Sequence, residues 1–304
     1  MAKLSHGGNV CALAVVEGGA LVSGGNNQNI RMWAQGADRG LRSIAGLASG
    51  LAALPSRRFA AARGGKHLVE VWDAGTGQRL YQLRGHTSDV GCVAALPRGF
   101  LASGSWDKTV RIWNATTGAH AATLNGHTDA VLALTALPDG RLASGSGDCT
   151  IRLWNVATRA RTQVLQHPNS VNALAVLDGG RLASGCADSR IHIWSLASGV
   201  EEAVLEGHND FVDSLAALSN GLLASGSCDK TVRVWDVGAR ACVAVLEGHG
   251  GDVCALAALP GGRLASGAGK DPLIRVWALT APGSPEDVAA AAEAARCVVV
   301  APMP

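Results

Sequence analysis

Apolar and polar residues alternate in a short segment that occurs seven times along the chain. In each copy a tryptophan follows aliphatic residues one and three positions earlier, as Trp113 follows Val110 and Ile112. A period of two predicts a β-strand with two different faces. Because both faces carry large apolar side chains, we expect both to be covered. The aliphatic pairs are Ile30/Met32, Val69/Val71, Val110/Ile112, Ile151/Leu153, Ile191/Ile193, Val232/Val234 and Ile274/Val276.

The seven tryptophans follow one another at nearly constant spacing. Trp33, Trp72, Trp113, Trp154, Trp194, Trp235 and Trp277 are separated by 39, 41, 41, 40, 41 and 42 residues. A period near 40 with turn-forming residues between short strands is typical of a four-stranded sheet repeated radially. The predicted fold is all-β: a seven-bladed β-propeller of four-stranded antiparallel blades, forming one domain over residues 1–304.

A histidine, a serine and an aspartate recur at fixed distances from the tryptophan. The His-to-Ser distance is 17 residues in six copies, and the Asp-to-Trp distance is six residues in five. On these residues the chain resembles the WD-repeat β-propeller family over about residues 2 to 279. In that family the four residues form a hydrogen-bonded tetrad. The resemblance implies five tetrads: His86/Ser103/Asp107/Trp113, His127/Ser144/Asp148/Trp154, His167/Ser184/Asp188/Trp194, His208/Ser225/Asp229/Trp235 and His249/Ser266/Asp271/Trp277.

A hydrolase triad is the other interpretation of a recurring His, Ser and Asp. One active site needs one triad, whereas five copies fit a structural role in each blade. Outside the tetrads, no set of carboxylates, histidines or cysteines has catalytic or metal-ligand spacing. We therefore expect no catalytic residue, no enzymatic activity, no cofactor and no metal site.

Two repeats depart from the pattern. Repeat 1 has Asn27 in place of the aspartate. Repeat 2 keeps only Trp72, with Ala45, Ala62 and Lys66 at the other three positions. Blade 2 is therefore predicted to be the least rigid, with neutral drift in one of seven units as the alternative.

The residues after Trp277 do not fit the repeat. Ser284 and Pro285 predict a helix start, with the helix over residues 289–295, and residues 297–300 predict a strand. We expect residues 281–304 to be an extension that packs on blade 7 or closes it. Residues 2–4 and residues 297–300 compete for the outer strand of that blade, and we favour the second because three residues make a weak latch.

Charge and composition limit the classes of partner. The net charge is +2 and the pI is about 8.2, so nucleic-acid binding by charge is not supported. No apolar run reaches the length of a membrane span. The eight cysteines include no C-x-x-C pair, and we interpret them as reduced thiols in a cytoplasmic protein, with the nucleus or a cytoskeletal assembly as other locations.

The resemblance implies that partners dock on the face around the central channel. Trp106 lies outside the tryptophan series, and Phe211 is one of three phenylalanines, so both are candidate hot-spot residues. The alternative for Trp106 is packing on a neighbouring turn. The other candidate residues of this face are Asp213, Asp89, Asp252, Lys270, Asn9, Asn26 and Asn172.

The predicted function is a non-enzymatic scaffold or adaptor. It would be a subunit of a multiprotein complex that binds other proteins, including basic peptides, on this face. The alternative is a substrate or ubiquitin receptor of a degradation pathway, a role that the resemblance permits. An enzyme using the central channel and an RNA-binding protein are two further classes, which the residue pattern and the charge disfavour.

Overall fold

The computed structural model describes residues 2–26, 29–34, 40–218, 221–279 and 298–299. Seven antiparallel sheets, here called blades 1 to 7, follow one another along the described chain. Blade 1 contains β2 (Ala12–Val16), β3 (Ala20–Gly24), β4 (Asn29–Trp33) and β5 (Gly40–Ala45). Blade 2 contains β6 (Gly50–Leu54), β7 (Arg58–Arg63), β8 (Leu68–Asp73) and β9 (Arg79–Arg84). Blade 3 contains β10 (Val90–Leu96), β11 (Phe100–Ser105), β12 (Val110–Asn114) and β13 (His120–Leu124). A short 3₁₀ turn, Pro97–Gly99, connects β10 to β11.

Blades 4 to 7 repeat the same order of strands. They contain β14 (Val131–Ala136), β15 (Arg141–Ser146), β16 (Thr150–Asn155) and β17 (Ala160–Gln166); β18 (Val171–Leu177), β19 (Arg181–Cys186), β20 (Ile191–Ser195) and β21 (Glu201–Leu205); β22 (Val212–Ala217), β23 (Leu222–Ser227), β24 (Val232–Asp236) and β25 (Ala241–Leu246); and β26 (Val253–Leu259), β27 (Arg263–Ala268) and β28 (Leu273–Ala278) with β1 (Ala2–Ser5). The strands of a blade are called A to D from the channel outwards. Strands A contact one another from blade to blade, including β2 with β26, so the blades form a closed ring.

The two faces of each strand C meet different neighbours, as the alternation predicts. In blade 2, Val69 and Val71 pack in one core cluster with Trp113 of blade 3. The same relation holds around the ring, because each tryptophan packs against the aliphatic face of the preceding blade, and Trp33 of blade 1 packs against blade 7. Truncating one such tryptophan to alanine should cost about 3–5 kcal/mol. The ring is therefore held together by a series of equivalent contacts between blades.

The outer strand of blade 7 comes from the N-terminal segment. Strand β1 pairs with β28 in the register Ala2 to Val276 through Ser5 to Leu273, and Leu4 joins the core of that blade. The expectation that residues 297–300 supply this strand is wrong. The reason is the connection to His6, whose backbone N–H donates to Pro272 O at 2.7 Å and so fixes the residues before it at the outer edge of β28.

Two C-terminal residues instead extend blade 6. Strand β29 (Val298–Val299) pairs in parallel with β25, placing Val298 beside Ala244. The predicted helix over residues 289–295 and its start at Ser284 lie outside the described residues.

Candidate functional site

Four blades assemble the tetrad that the motif spacing implies. In blade 3 the Trp113 indole N–H donates to Ser103 Oγ at 2.8 Å. His86 Nε2 lies 2.8 Å from Ser103 Oγ, and His86 Nδ1 lies 2.7 Å from Asp107 Oδ2. The same three contacts, at 2.7–2.9 Å, occur in blades 4, 6 and 7: His127/Ser144/Asp148/Trp154, His208/Ser225/Asp229/Trp235 and His249/Ser266/Asp271/Trp277.

The aspartate holds the turn between strands B and C in each of these blades. Asp107 Oδ1 accepts from Thr109 Oγ1 at 2.6 Å, and Asp107 Oδ2 accepts from the backbone N–H of Thr87 at 3.0 Å. Burial raises the pKa of Asp107, but the hydrogen bonds from Thr109, His86 and Thr87 outweigh it and lower that pKa to about 2. Burial also lowers the pKa of His86, against the hydrogen bond to Asp107. The hydrogen-bonding atoms of these side chains are therefore occupied within the tetrad and its turn.

The tetrad serine cannot act as a nucleophile in this arrangement. Ser103, Ser144, Ser225 and Ser266 are 0% exposed, and a nucleophile must contact its substrate. Each hydroxyl accepts from the tryptophan N–H and can donate to the histidine, which leaves it fully hydrogen-bonded. The geometry supports a structural role for these four sets.

Blade 5 contains the same four residues but a different network. His167 Nε2 contacts Ser184 Oγ at 3.0 Å, and Trp194 donates to that oxygen at 2.8 Å. Asp188 does not bond to His167; its Oδ2 lies 3.1 Å from His192 Nε2 instead. The fifth tetrad that the resemblance implies is therefore broken, because His192 lies closer to the aspartate than the tetrad histidine does.

The role of His192 was not predicted from the sequence. The equivalent position, two residues before the tryptophan, is arginine in five other blades and glutamate in blade 2. In blade 5 the histidine also contacts Glu201 Oε2 through its Nδ1 at 3.0 Å. Burial and the neighbouring His192 lower the pKa of His167 to about 4, and burial raises the pKa of the nearby Cys186 to about 12. The replaced arginine was the signal that could have predicted this difference.

Blade 2 replaces the tetrad with a buried ion pair. Arg63 Nε lies 2.7 Å from Glu70 Oε2, and both residues are buried. The same guanidinium donates to the carbonyl oxygens of Leu47 and Ala45 at 2.5 and 3.1 Å. Gly46, at φ +135°, leaves room for it, because a Cβ there would overlap the guanidinium. Glu70, which occupies the arginine position of the repeat, was the signal that the sequence analysis missed.

Trp106 projects from the B–C turn of blade 3. Its side chain is 59% exposed, the largest exposed fraction among the described aromatic residues. Its backbone N–H donates to Asp89 O at 2.9 Å, and the next residue is the tetrad Asp107. Gly91 lies beneath the indole, 3.7 Å separating Trp106 Nε1 from an ideal Cβ position. The turn is therefore fixed while the ring remains largely open to solvent.

Phe211 is presented in the same way in the D–A loop that enters blade 6. It is 47% exposed, and its backbone carbonyl accepts from Cys228 N at 2.9 Å. Asp213 lies nearby in strand A, where Asn172 Nδ2 donates to it at 2.8 Å and the Cys228 thiol lies at 3.1 Å. Burial raises the pKa of Asp213 in spite of these bonds, and the charges of Asp252 and Asp210 raise it further. The carboxylates of Asp210 and Asp252 therefore lie close enough to Asp213 to act on its charge.

The remaining candidate residues are spread around the ring. Asp89 bridges to blade 2, accepting from Gly65 N at 2.7 Å and lying 3.1 Å from His67 Nδ1. Asn9 precedes strand A of blade 1, and Asn26 lies between its strands B and C. Lys270 is exposed on the B–C turn of blade 7. Trp106 and Phe211 belong to blades 3 and 6, three blade positions apart in a ring of seven, so the structure does not bring them into one patch.

Comparison with protein families agrees with this architecture. The sequence model described as "IFT122 first beta-propeller" matches residues 55–277, which is most of the chain. The chain belongs to this beta-propeller family. No curated protein matches it significantly.

Membership of the IFT122 first beta-propeller family is consistent with an interaction scaffold. The fold of this WD-type propeller family is generally non-catalytic. Over the residues that the structure describes, no helix has the length and apolar character to cross a membrane.

Proposed function

We propose that the protein is a non-enzymatic scaffold of a cytoplasmic multiprotein complex and binds partner proteins on the face that carries Trp106 and Phe211. The observation that supports the proposal is the exposure of these two aromatic side chains, 59% and 47%, on turns held by backbone and tetrad hydrogen bonds. Rigid aromatic side chains lose little conformational entropy on binding and often dominate interface energy. A partner that contacts both must span the channel mouth.

The charge around Phe211 favours a basic segment in the partner. Burial raises the pKa of Asp213, and the negative charges of Asp252 and Asp210 raise it further. A lysine or arginine side chain placed among them would relieve their repulsion and contribute charge-assisted hydrogen bonds. The contact should therefore weaken as the salt concentration rises.

Affinity purification with matched variants tests the proposal. We expect Trp106→Ala with Phe211→Ala to lose the partner proteins that wild type retains, with the free energy of unfolding changed by less than about 1 kcal/mol. The control is Leu80→Ala with Val200→Ala, which removes two exposed apolar side chains, 41% and 60% exposed, on strand D and a C–D turn.

Quantitative mass spectrometry of the purified proteins provides the measurement. The proposal predicts partners that are lost with the first variant and kept with the second. Partners kept equally by both variants would contradict this face as the binding site. A salt titration on the partners retained by wild type then separates charge from apolar contact.

A further inference from the structure

Three side chains able to bind a metal ion meet beneath the B–C turn of blade 5. His167, Cys186 and His192 each offer one ligand atom, and these atoms all lie within 4.8 Å of one another. The three residues are 6%, 0% and 3% exposed.

Blade 5 acquires this group through replacements at repeat positions that other blades share. Cys186 stands where three blades have serine, and His192 stands where five have arginine. Arg190 stands where three blades have the threonine that braces the tetrad aspartate. The corresponding residues in the other blades are Ser105, Ser146 and Ser227; Arg31, Arg111, Arg152, Arg233 and Arg275; and Thr109, Thr150 and Thr231.

One ring nitrogen of each imidazole contacts a polar side chain outside the group. His167 Nε2 contacts Ser184 Oγ at 3.0 Å, while His167 Nδ1 is buried without a hydrogen-bond partner among the described residues. His192 Nδ1 contacts Glu201 Oε2 at 3.0 Å. A carboxylate or hydroxyl on the far nitrogen is how proteins orient metal-binding histidines.

Asp188 supplies an oxygen at the same place. Its Oδ2 lies 3.1 Å from His192 Nε2, and its backbone N–H points to Cys186 Sγ at 3.4 Å. When neutral His192 donates from Nδ1 to Glu201, its Nε2 lone pair faces a carboxylate oxygen. A cation between these two atoms would turn their repulsion into two favourable contacts.

We propose that His167, Cys186, His192 and Asp188 form a structural Zn²⁺ site. Two imidazoles, one thiolate and one carboxylate are a tetrahedral ligand set that zinc accepts. The two anionic ligands balance the charge of Zn²⁺, so the buried complex has no net charge. As the bond from sulfur to zinc forms, the Cys186 thiol releases its proton to solvent.

The ligand atoms must move closer to reach bonding distance. Bonds of about 2.0 Å to nitrogen and about 2.3 Å to sulfur place the ligand atoms of a tetrahedral site with one sulfur about 3.3–3.5 Å apart. Rotations of the His167 and Cys186 side chains would supply this shift, and Cys186 Sγ would give up its contact with the Asp188 backbone N–H.

Metal titration of the full-length chain tests the site. After treatment with a chelator, wild type is titrated with Zn²⁺ and separately with Co²⁺, and bound metal is measured by elemental analysis. We expect one equivalent per chain and, with Co²⁺, a thiolate charge-transfer band. Cys186→Ser should remove that band, and Glu201→Ala should weaken binding about tenfold through loss of the partner that orients His192.

A variant that restores the usual blade sequence keeps the test independent of folding. Cys186→Ser with Arg190→Thr and His192→Arg gives blade 5 the residues of blades 3, 4 and 6, so it should fold and bind no metal. Cys149→Ser, in the B–C turn of blade 4, is the matched control and should bind as wild type does. Absence of stoichiometric binding in wild type, or an equivalent retained by the restored variant, would overturn the proposal.

Discussion

Blades 3 and 5 contain the same His, Ser, Asp and Trp at the same spacing, yet their hydrogen bonds differ. In blade 3 Asp107 bonds to His86 and closes the tetrad. In blade 5 Asp188 turns to His192, and His167 Nδ1 is left without a described partner. The difference teaches that the four motif residues do not fix the network by themselves.

The residue two positions before the tryptophan decides between the two networks. In blade 3 this residue is Arg111, whose guanidinium lies against Gly85. In blade 5 it is His192, whose side chain is shorter and whose Nε2 lies 3.1 Å from Asp188 Oδ2. The threonine that braces Asp107 in blade 3 is Arg190 in blade 5, which pairs with Glu206 at 3.0 Å. Asp188 therefore lacks the threonine hydroxyl that braces Asp107 and has the contact with His192 instead.

The largest expected effect is the contribution of blade 5 to the pH dependence of the free energy of unfolding. His167 has a pKa of about 4 in the folded protein against 6.5 ordinarily, so the unfolded chain binds more protons between these values. The free energy of unfolding must then fall as pH falls from 6.5 to 4, by about 3 kcal/mol from this group. Urea unfolding of wild type and His167→Gln at pH 7 and pH 4, both with chelator, measures it. Equal losses in the two proteins would contradict the assignment.

Removing the aspartate should separate the blades by a smaller amount. Asp107→Ala leaves His86 Nδ1, Thr87 N–H and Thr109 Oγ1 without their acceptor, which should cost about 2–3 kcal/mol. Asp188→Ala removes the contact with His192, which keeps Glu201, so the cost should be about 1 kcal/mol. Urea unfolding at neutral pH compares the two, and a larger loss for Asp188→Ala would refute the comparison.

The smallest expected effect is a gain in the free energy of unfolding. Restoring the usual residues with Cys186→Ser, Arg190→Thr and His192→Arg should return Asp188 to His167 and raise the free energy of unfolding by about 1 kcal/mol in the presence of chelator. The measurement is urea unfolding beside wild type. A destabilised restored variant would show that blade 5 had adapted to its own network.

Local patterns in the sequence predict most of the fold. Alternation before each tryptophan and the spacing near 40 depend on neighbouring residues, so they give seven blades and strands that are covered on both faces. The choice of closing strand was wrong because it rested on the short length of the N-terminal segment. The structure shows that the connection to His6 decides, since it places Leu4 beside Ile274.

The candidate site was less predictable from the sequence. Asp188 has histidines both at the tetrad position and four residues later, and only side-chain packing chooses between them. Arg63 and Glu70 occupy positions that look like a strand end and a polar stem, and their pairing depends on the space that Gly46 leaves. The absence of Trp106 from the tryptophan period showed only that strand C does not explain it, and the structure shows that it is 59% exposed.

The pairing of β1 with β28 makes closure of the ring a late event in folding. Leu4 and its partner Ile274 are 270 residues apart, and joining the ends of such a loop costs about 5 kcal/mol of chain entropy. During translation, the first strand must remain unpaired until Leu273–Ala278 has been made. After β28 has been made and before β1 pairs with it, the outer edge of β28 offers open hydrogen-bonding groups to any extended chain, so early aggregation should start at this edge.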